Sequence, residues 1–156
     1  MPKTQERSRL TRNPDDCMGE IRATMQLENT DDRAVFEKGY AEEEEIRTDE
    51  IEGVVDTGAR PGLALPEDVV ERLGVRTQYE TDVRYADDRS EKRPVVGPVN
   101  VTIAGRTAIT TAVVLPTGSD ALIGQIVLED LDLRADCARG RLVVPPETPD
   151  RRVWRL

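Results

Sequence analysis

The chain contains no histidine. That absence excludes Ser-His-Asp and Cys-His nucleophilic machinery, together with any zinc site that depends on imidazole. Lysine is also scarce: only Lys3, Lys38 and Lys92 stand beside nineteen arginines, and the formal net charge is -9. Nothing forms a basic stripe able to displace counterions from phosphates, so no nucleic acid partner is expected. With five aromatic residues in all, the core must be built from Val, Leu, Ile and Ala. The two cysteines, Cys17 and Cys137, lie far apart with no CxxC spacing, and are expected to be free thiols in a reducing compartment. No apolar run reaches the length of a signal h-region or a membrane span, so no membrane partner is expected and the location reads as cytoplasmic.

What is present is a chain of 156 residues and 17.4 kDa, 37% apolar and 34% charged, which fits one globular domain with one core. Residues 1–17 are polar, mixed in charge and without periodicity, and read as a disordered N-terminal tail. The domain is expected to span 18–146, leaving 147–156 as a C-terminal tail. That tail carries the only tryptophan, Trp154, which is expected to anchor on the domain or on a partner subunit.

Alternation and turn residues predict mostly β structure. A first strand is expected over Glu20–Leu27, followed by a turn-rich break at Asn29–Arg33 and a solvated charge run at Tyr40–Glu45. Residues 46–55 alternate and then become continuously apolar, as a strand does on entering a core. Pro66 at a first helical position, Glu67 and Asp68 in the first turn and Gly74 past the end specify a short helix. Two hairpins follow, one polar, with strands Thr81–Ala86 and Lys92–Val96, and one apolar, turning at Ala104-Gly105. "ALIGQIVLEDLDL" gives a short strand and a second helix, and Arg141–Val144 a last strand. The helices "DVVERLGV" and "IVLEDLDL" resemble each other, each reached from a strand and a glycine, which points to an internal repeat.

The stretch "GVVDTGAR", residues 53–60, puts Asp56 at the tip of a buried strand, where a carboxylate is costly unless something pairs with it or uses it. Gly53-x4-Gly58 superficially matches a phosphate loop, but Ala59-Arg60 stand where Lys and Ser/Thr would have to reach phosphate and magnesium. What remains is a carboxylate presented on a tight loop. Thr57 can hydrogen-bond locally, and Gly58 can bring its amide to the carboxylate.

Val54-Val55-Asp56-Thr57-Gly58-Ala59, the helix after it, the polar hairpin and Leu122-Ile123-Gly124 together resemble the retropepsin-like aspartic proteases, in particular the small prokaryotic single-lobe members. The resemblance covers roughly residues 19–145. It implies a mostly β, closed, largely antiparallel barrel-like fold with one or two short helices, and a homodimer in which each subunit gives one Asp-Thr-Gly to a shared site. It implies Asp56, Thr57 and Gly58 as the catalytic loop, with Thr57 locking the two loops across the dimer. Leu122, Ile123 and Gly124 would support that loop. Ala59, Arg60 and a flap carrying Tyr85, Ala86 and Asp87 would contact a peptide or unfolded-protein substrate.

The chemistry is coherent on its own terms. Two carboxylates brought together by a two-fold axis cannot both ionise, so one can activate a water as general base while the protonated one donates to the scissile carbonyl oxygen. No metal or cofactor is required. Arg60 departs from the small or hydroxylated residue such proteases often carry there. A guanidinium aimed at the dyad would favour full ionisation, whereas one aimed at solvent would be harmless. The alternative expectation is therefore a catalytically weak or inactive dimer of the same fold that binds peptides or protein partners.

Overall fold

The computed structural model describes residues 19–59 and 61–156. The predicted N-terminal tail, residues 1–17, therefore lies outside the described residues, as do Met18 and Arg60. The strands are β1 (Arg22–Asn29), β2 (Thr48–Asp56), β3 (Leu63–Pro66), β4 (Thr77–Arg84), β5 (Ser90–Ile103), β6 (Arg106–Leu115), β7 (Ala121–Gly124), β8 (Arg134–Asp136) and β9 (Arg141–Val143). The helices are α1 (Thr30–Glu37), α2 (Glu67–Leu73) and α3 (Gln125–Leu131), with a 3-10 turn at Glu43–Glu45.

Six strands close into a barrel in the order β1-β2-β7-β3-β6-β5, with β5 pairing back onto β1 and β4 added to the outside of β5. The expected closed, mostly β fold is present. Two of the six closing pairs, β2 with β7 and β3 with β6, are parallel. Closure leaves β4 as the free strand of this sheet, and β4 is exposed and polar along most of its length.

The core follows from strand alternation. Met25 and Leu27 of β1, Val99, Val101 and Ile103 of β5 and Ala108 and Ala112 of β6 point inward, against Leu65, Val69 and Leu73 of the β3–α2 unit and Ile123, Val127 and Leu131 of the β7–α3 unit. Among the described residues, Asn29 is the buried polar exception. Its side chain accepts from the Asp32 amide (3.0 Å) and donates to the Leu73 carbonyl (2.9 Å), so both of its polar ends are satisfied. Thus one residue ends β1, caps α1 and ties it to the end of α2.

Several expectations change. Asn29–Arg33 is the capped start of α1 rather than a turn, and the described residues hold three short helices. Pro66 ends β3 and forms the N-cap of α2 instead of its first helical residue. The two predicted hairpins share a single strand, β5, whose register shift between Val96 and Val99 marks where it leaves β4 and joins β1. The internal repeat aligns β3–α2 with β7–α3: both helices span seven residues and end on a left-handed cap, Gly74 (φ 62°) and Asp132 (φ 53°). The strand that carries Asp56 is a separate element laid against the second copy.

The C-terminal segment is fastened to the domain. Arg106, with its side chain only 10% exposed, donates to the carbonyls of Leu131, Asp132, Thr148 and Arg151. Trp154 donates its indole N–H to the Asp130 carbonyl (2.9 Å), so the expected anchoring is onto the chain's own α3, although the ring stays largely exposed. Cys137, expected as a free thiol, is disulfide-bonded, which removes the thiol argument for a reducing compartment. Among the described residues, no helix is long and apolar enough to cross a membrane.

Candidate functional site

Asp56 is the last residue of β2, half-buried, and lies directly opposite Gly124 in the parallel β2–β7 pair. The apolar run before it explains this position: Val54 and Val55 pair with Leu122 and Ile123, carrying the strand through the barrel to its rim. The chain then turns at once. The Ala59 amide donates to the Asp56 carbonyl (3.1 Å), and the Gly58 amide donates to Oδ1 of the Asp56 carboxylate (3.0 Å). A backbone amide thus fixes one carboxylate oxygen in place. Thr57 and Gly58 form the exposed turn, and Gly58 lies open enough that a Cβ there would make only ordinary contact, 3.4 Å from Oδ1.

Gly124 closes the loop from behind. Its amide donates to the Gly62 carbonyl (3.0 Å), and a Cβ at this position would lie 2.0 Å from the Pro61 carbonyl oxygen. The segment after Asp56 can therefore pass over β7 only because residue 124 has no side chain. Ile123 is fully buried in the main core, whereas the Leu122 side chain turns the other way, into a second apolar cluster with Ala64, Val83, Val95, Val113 and Leu115. This cluster is the floor of a cleft of about 1050 Å³ that Asp56, Gly58 and Ala59 also line.

The β4–β5 hairpin roofs that cleft. Strand alternation turns Tyr79, Thr81 and Val83 inward opposite Val95, Arg93 and Glu91. Arg93 fastens the hairpin's base, donating to the Val114 carbonyl (2.8 Å) and pairing with Glu91 (2.9 Å). At the tip, Tyr85 and Arg89 close the turn through a 2.8 Å backbone bond, and the Arg89 guanidinium lies 4.9 Å from the centre of the Tyr85 ring. The Tyr85 hydroxyl is shielded from solvent and has no hydrogen-bond partner among the described residues.

Of the residues singled out from sequence, Asp56, Gly58, Ala59, Tyr85, Ala86 and Leu122 meet in this one cleft. Thr57 and Asp87 lie beside it without lining it, Ile123 and Gly124 stand behind it, and Arg60 is outside the described residues. Asp87 instead accepts the Arg89 amide (3.2 Å) and shapes the turn. Sequence reasoning missed Arg84, Arg89 and the inward row Tyr79-Thr81-Val83. The period-two pattern of that row was legible once β4 was extended back to Thr77.

A family model described as aspartyl protease matches residues 45–127, which is more than half of the chain. The match runs from the 3-10 turn through β2, the Asp56 loop, the flap hairpin and β7 into α3. No curated protein matches the chain.

Proposed function

We propose that this chain, which belongs to the aspartyl protease family, is an aspartic endopeptidase that works as a homodimer, hydrolysing peptide bonds with a water activated between two Asp56 carboxylates. The observation that carries this reading is the position of Asp56: half-buried at the rim of the barrel, one oxygen fixed by the Gly58 amide, at the end of a flap-roofed cleft with an apolar floor. One chain supplies one such loop. A second copy related by a two-fold axis would supply the other carboxylate, and the exposed Thr57 turn is the part of the loop free to meet its counterpart.

With the two carboxylates adjacent and sharing one proton, the ionised one takes a proton from water as the oxygen attacks the scissile carbonyl. The protonated one gives its proton to the carbonyl oxygen. Collapse of the resulting gem-diol breaks the C–N bond, and a proton passes from a carboxyl to the leaving amine. The apolar floor and the flap keep bulk water away from these transfers.

A second reading keeps the dimer and the cleft without the chemistry: a peptide-binding protein of the same fold. It is favoured by Arg60 in the sequence, four residues beyond Asp56, whose charge would oppose the shared proton if it faced the dyad. The test is cleavage of an unfolded protein across acidic to neutral pH. Pepstatin-sensitive cleavage that disappears in Asp56→Asn supports the protease. Saturable peptide binding with no cleavage at any pH supports the second reading.

A further inference from the structure

Nine arginines, from Arg22 to Arg139, are ion-paired with carboxylates at 2.7–3.8 Å. Arg84 and Arg89 line the cleft on the flap and have no carboxylate within ion-pair distance among the described residues. Scarcity of acids does not explain this, since the chain carries 31 acidic residues against 22 basic ones and the flap itself contains Asp82, Asp87 and Asp88. Of the flap carboxylates, Asp87 accepts from the Arg89 amide and Glu91, which lines the cleft, is paired with Arg93. Asp82 also lines the cleft and lies opposite Lys92 in the β4–β5 register, with no ion pair to Arg84 or Arg89. Arg89 is held in place by the face of Tyr85, which orders a guanidinium without consuming any of its five N–H donors.

We propose that Arg84 and Arg89 form a subsite for a carboxylate side chain, so that the cleft selects peptides bearing Glu or Asp near the bond to be cut. The proposal rests on the protease reading for the word "cut" but not for the binding preference. A guanidinium over an aromatic ring at a cleft mouth is matched in geometry and charge by a carboxylate, which it can engage through two parallel N–H donors. The partial solvation of both arginines sets the expected discrimination at about tenfold between Glu and its uncharged isostere Gln.

The experiment uses paired peptides, capped at both ends, that differ only by Glu or Gln, measured two ways. Binding is read by fluorescence anisotropy on the Asp56→Asn protein, and cleavage as kcat/KM on the wild type. About tenfold preference for Glu is expected in both, shrinking as salt is raised. In Arg89→Gln and Arg84→Gln the ratio should move toward one, and in Arg89→Glu it should invert in favour of a Lys peptide. Lys92→Gln, on the same hairpin but outside the cleft lining, should leave the ratio unchanged. Binding preference without cleavage would refute the protease reading and keep the subsite. Equal binding of the Glu and Gln peptides, a preference seen only with an uncapped C-terminal carboxylate, or a Lys92 effect as large as that of Arg89 would overturn the subsite.

Discussion

Replacing Gly124 by alanine should unhinge the site through a single methyl group. The backbone at Gly124 (φ -80°, ψ 163°) is open to any residue, so alanine brings no dihedral strain and the cost is purely one of contact. The new Cβ would lie 2.0 Å from the Pro61 carbonyl oxygen, 3.1 Å from that of Ala59 and 3.2 Å from that of Gly62. An ordinary C···O contact is roughly 3.3 Å or longer, so the loop after Asp56 and β7 must part by about 1.3 Å. These are backbone atoms with no rotamer to yield. Parting them also stretches the Gly124–Gly62 hydrogen bond, now 3.0 Å. Overpacking at about 1–3 kcal/mol and the lost bond at about 1 kcal/mol give a destabilisation of about 2–4 kcal/mol. For a chain of this length, the melting temperature should fall by about 5–15 °C. Gly58→Ala is the matched comparison, because its Cβ meets only Oδ1 of Asp56 at 3.4 Å. It should unfold within about 0.5 kcal/mol of wild type, while a methyl beside the carboxylate lowers cleavage about tenfold or more. Calorimetry and urea unfolding on both variants decide the matter. A Gly124→Ala protein as stable as wild type would refute the close approach on which the site's geometry depends.

Arg106→Gln should cost about 2–4 kcal/mol, since four carbonyls lose a largely buried donor. Trp154 emission should then report release of the C-terminal segment at lower urea than global unfolding, and a single coincident transition would contradict this. Acid should destabilise the fold through groups held below the usual carboxylate range: Glu28 by hydrogen bonds from Arg33 and Asn100, Asp32 by Arg47, and Asp132 by the Val153 amide. Each contributes stability that is complete above its unfolded-state value, about 4, and that is lost as pH falls through its lower folded value. The urea midpoint should therefore hold from neutral pH to about 5 and decline below about 4, less steeply in Glu28→Gln; a midpoint that rises toward pH 3 would contradict the sign.

The site was legible where chemistry and burial coincide. Two valines running into Asp56, and Leu122-Ile123-Gly124 far along the chain, are apolar segments that make sense only if paired, and they do pair, residue against residue. Helices α2 and α3 announced themselves through their apolar faces. Helix α1 did not, because it buries no residue and its opening Thr-Asp-Asp carries the composition of a turn. Strand β3 was hidden for a different reason. Its four residues are all buried, so they show no alternation, and only their neighbours β6 and β7 make them a strand. The two hairpins read as separate because the irregularity that lets β5 run on from Val96 to Val99 is set by its different partners. The flap arginines were missed because their meaning lies in what does not pair with them, which only coordinates display.

The proposal that each active site draws Asp56 from two chains is tested most directly by subunit mixing. Wild-type and Asp56→Asn proteins are exchanged freely in varying proportions at constant total concentration, and cleavage is measured in each mixture. The amide is nearly isosteric with the carboxyl but cannot act as the base. If both carboxylates are needed, activity follows the square of the wild-type fraction and an equal mixture retains about a quarter, by two-fold statistics. A linear dependence, with about half the activity in the equal mixture, or full activity in Asp56→Asn alone, would contradict a shared site.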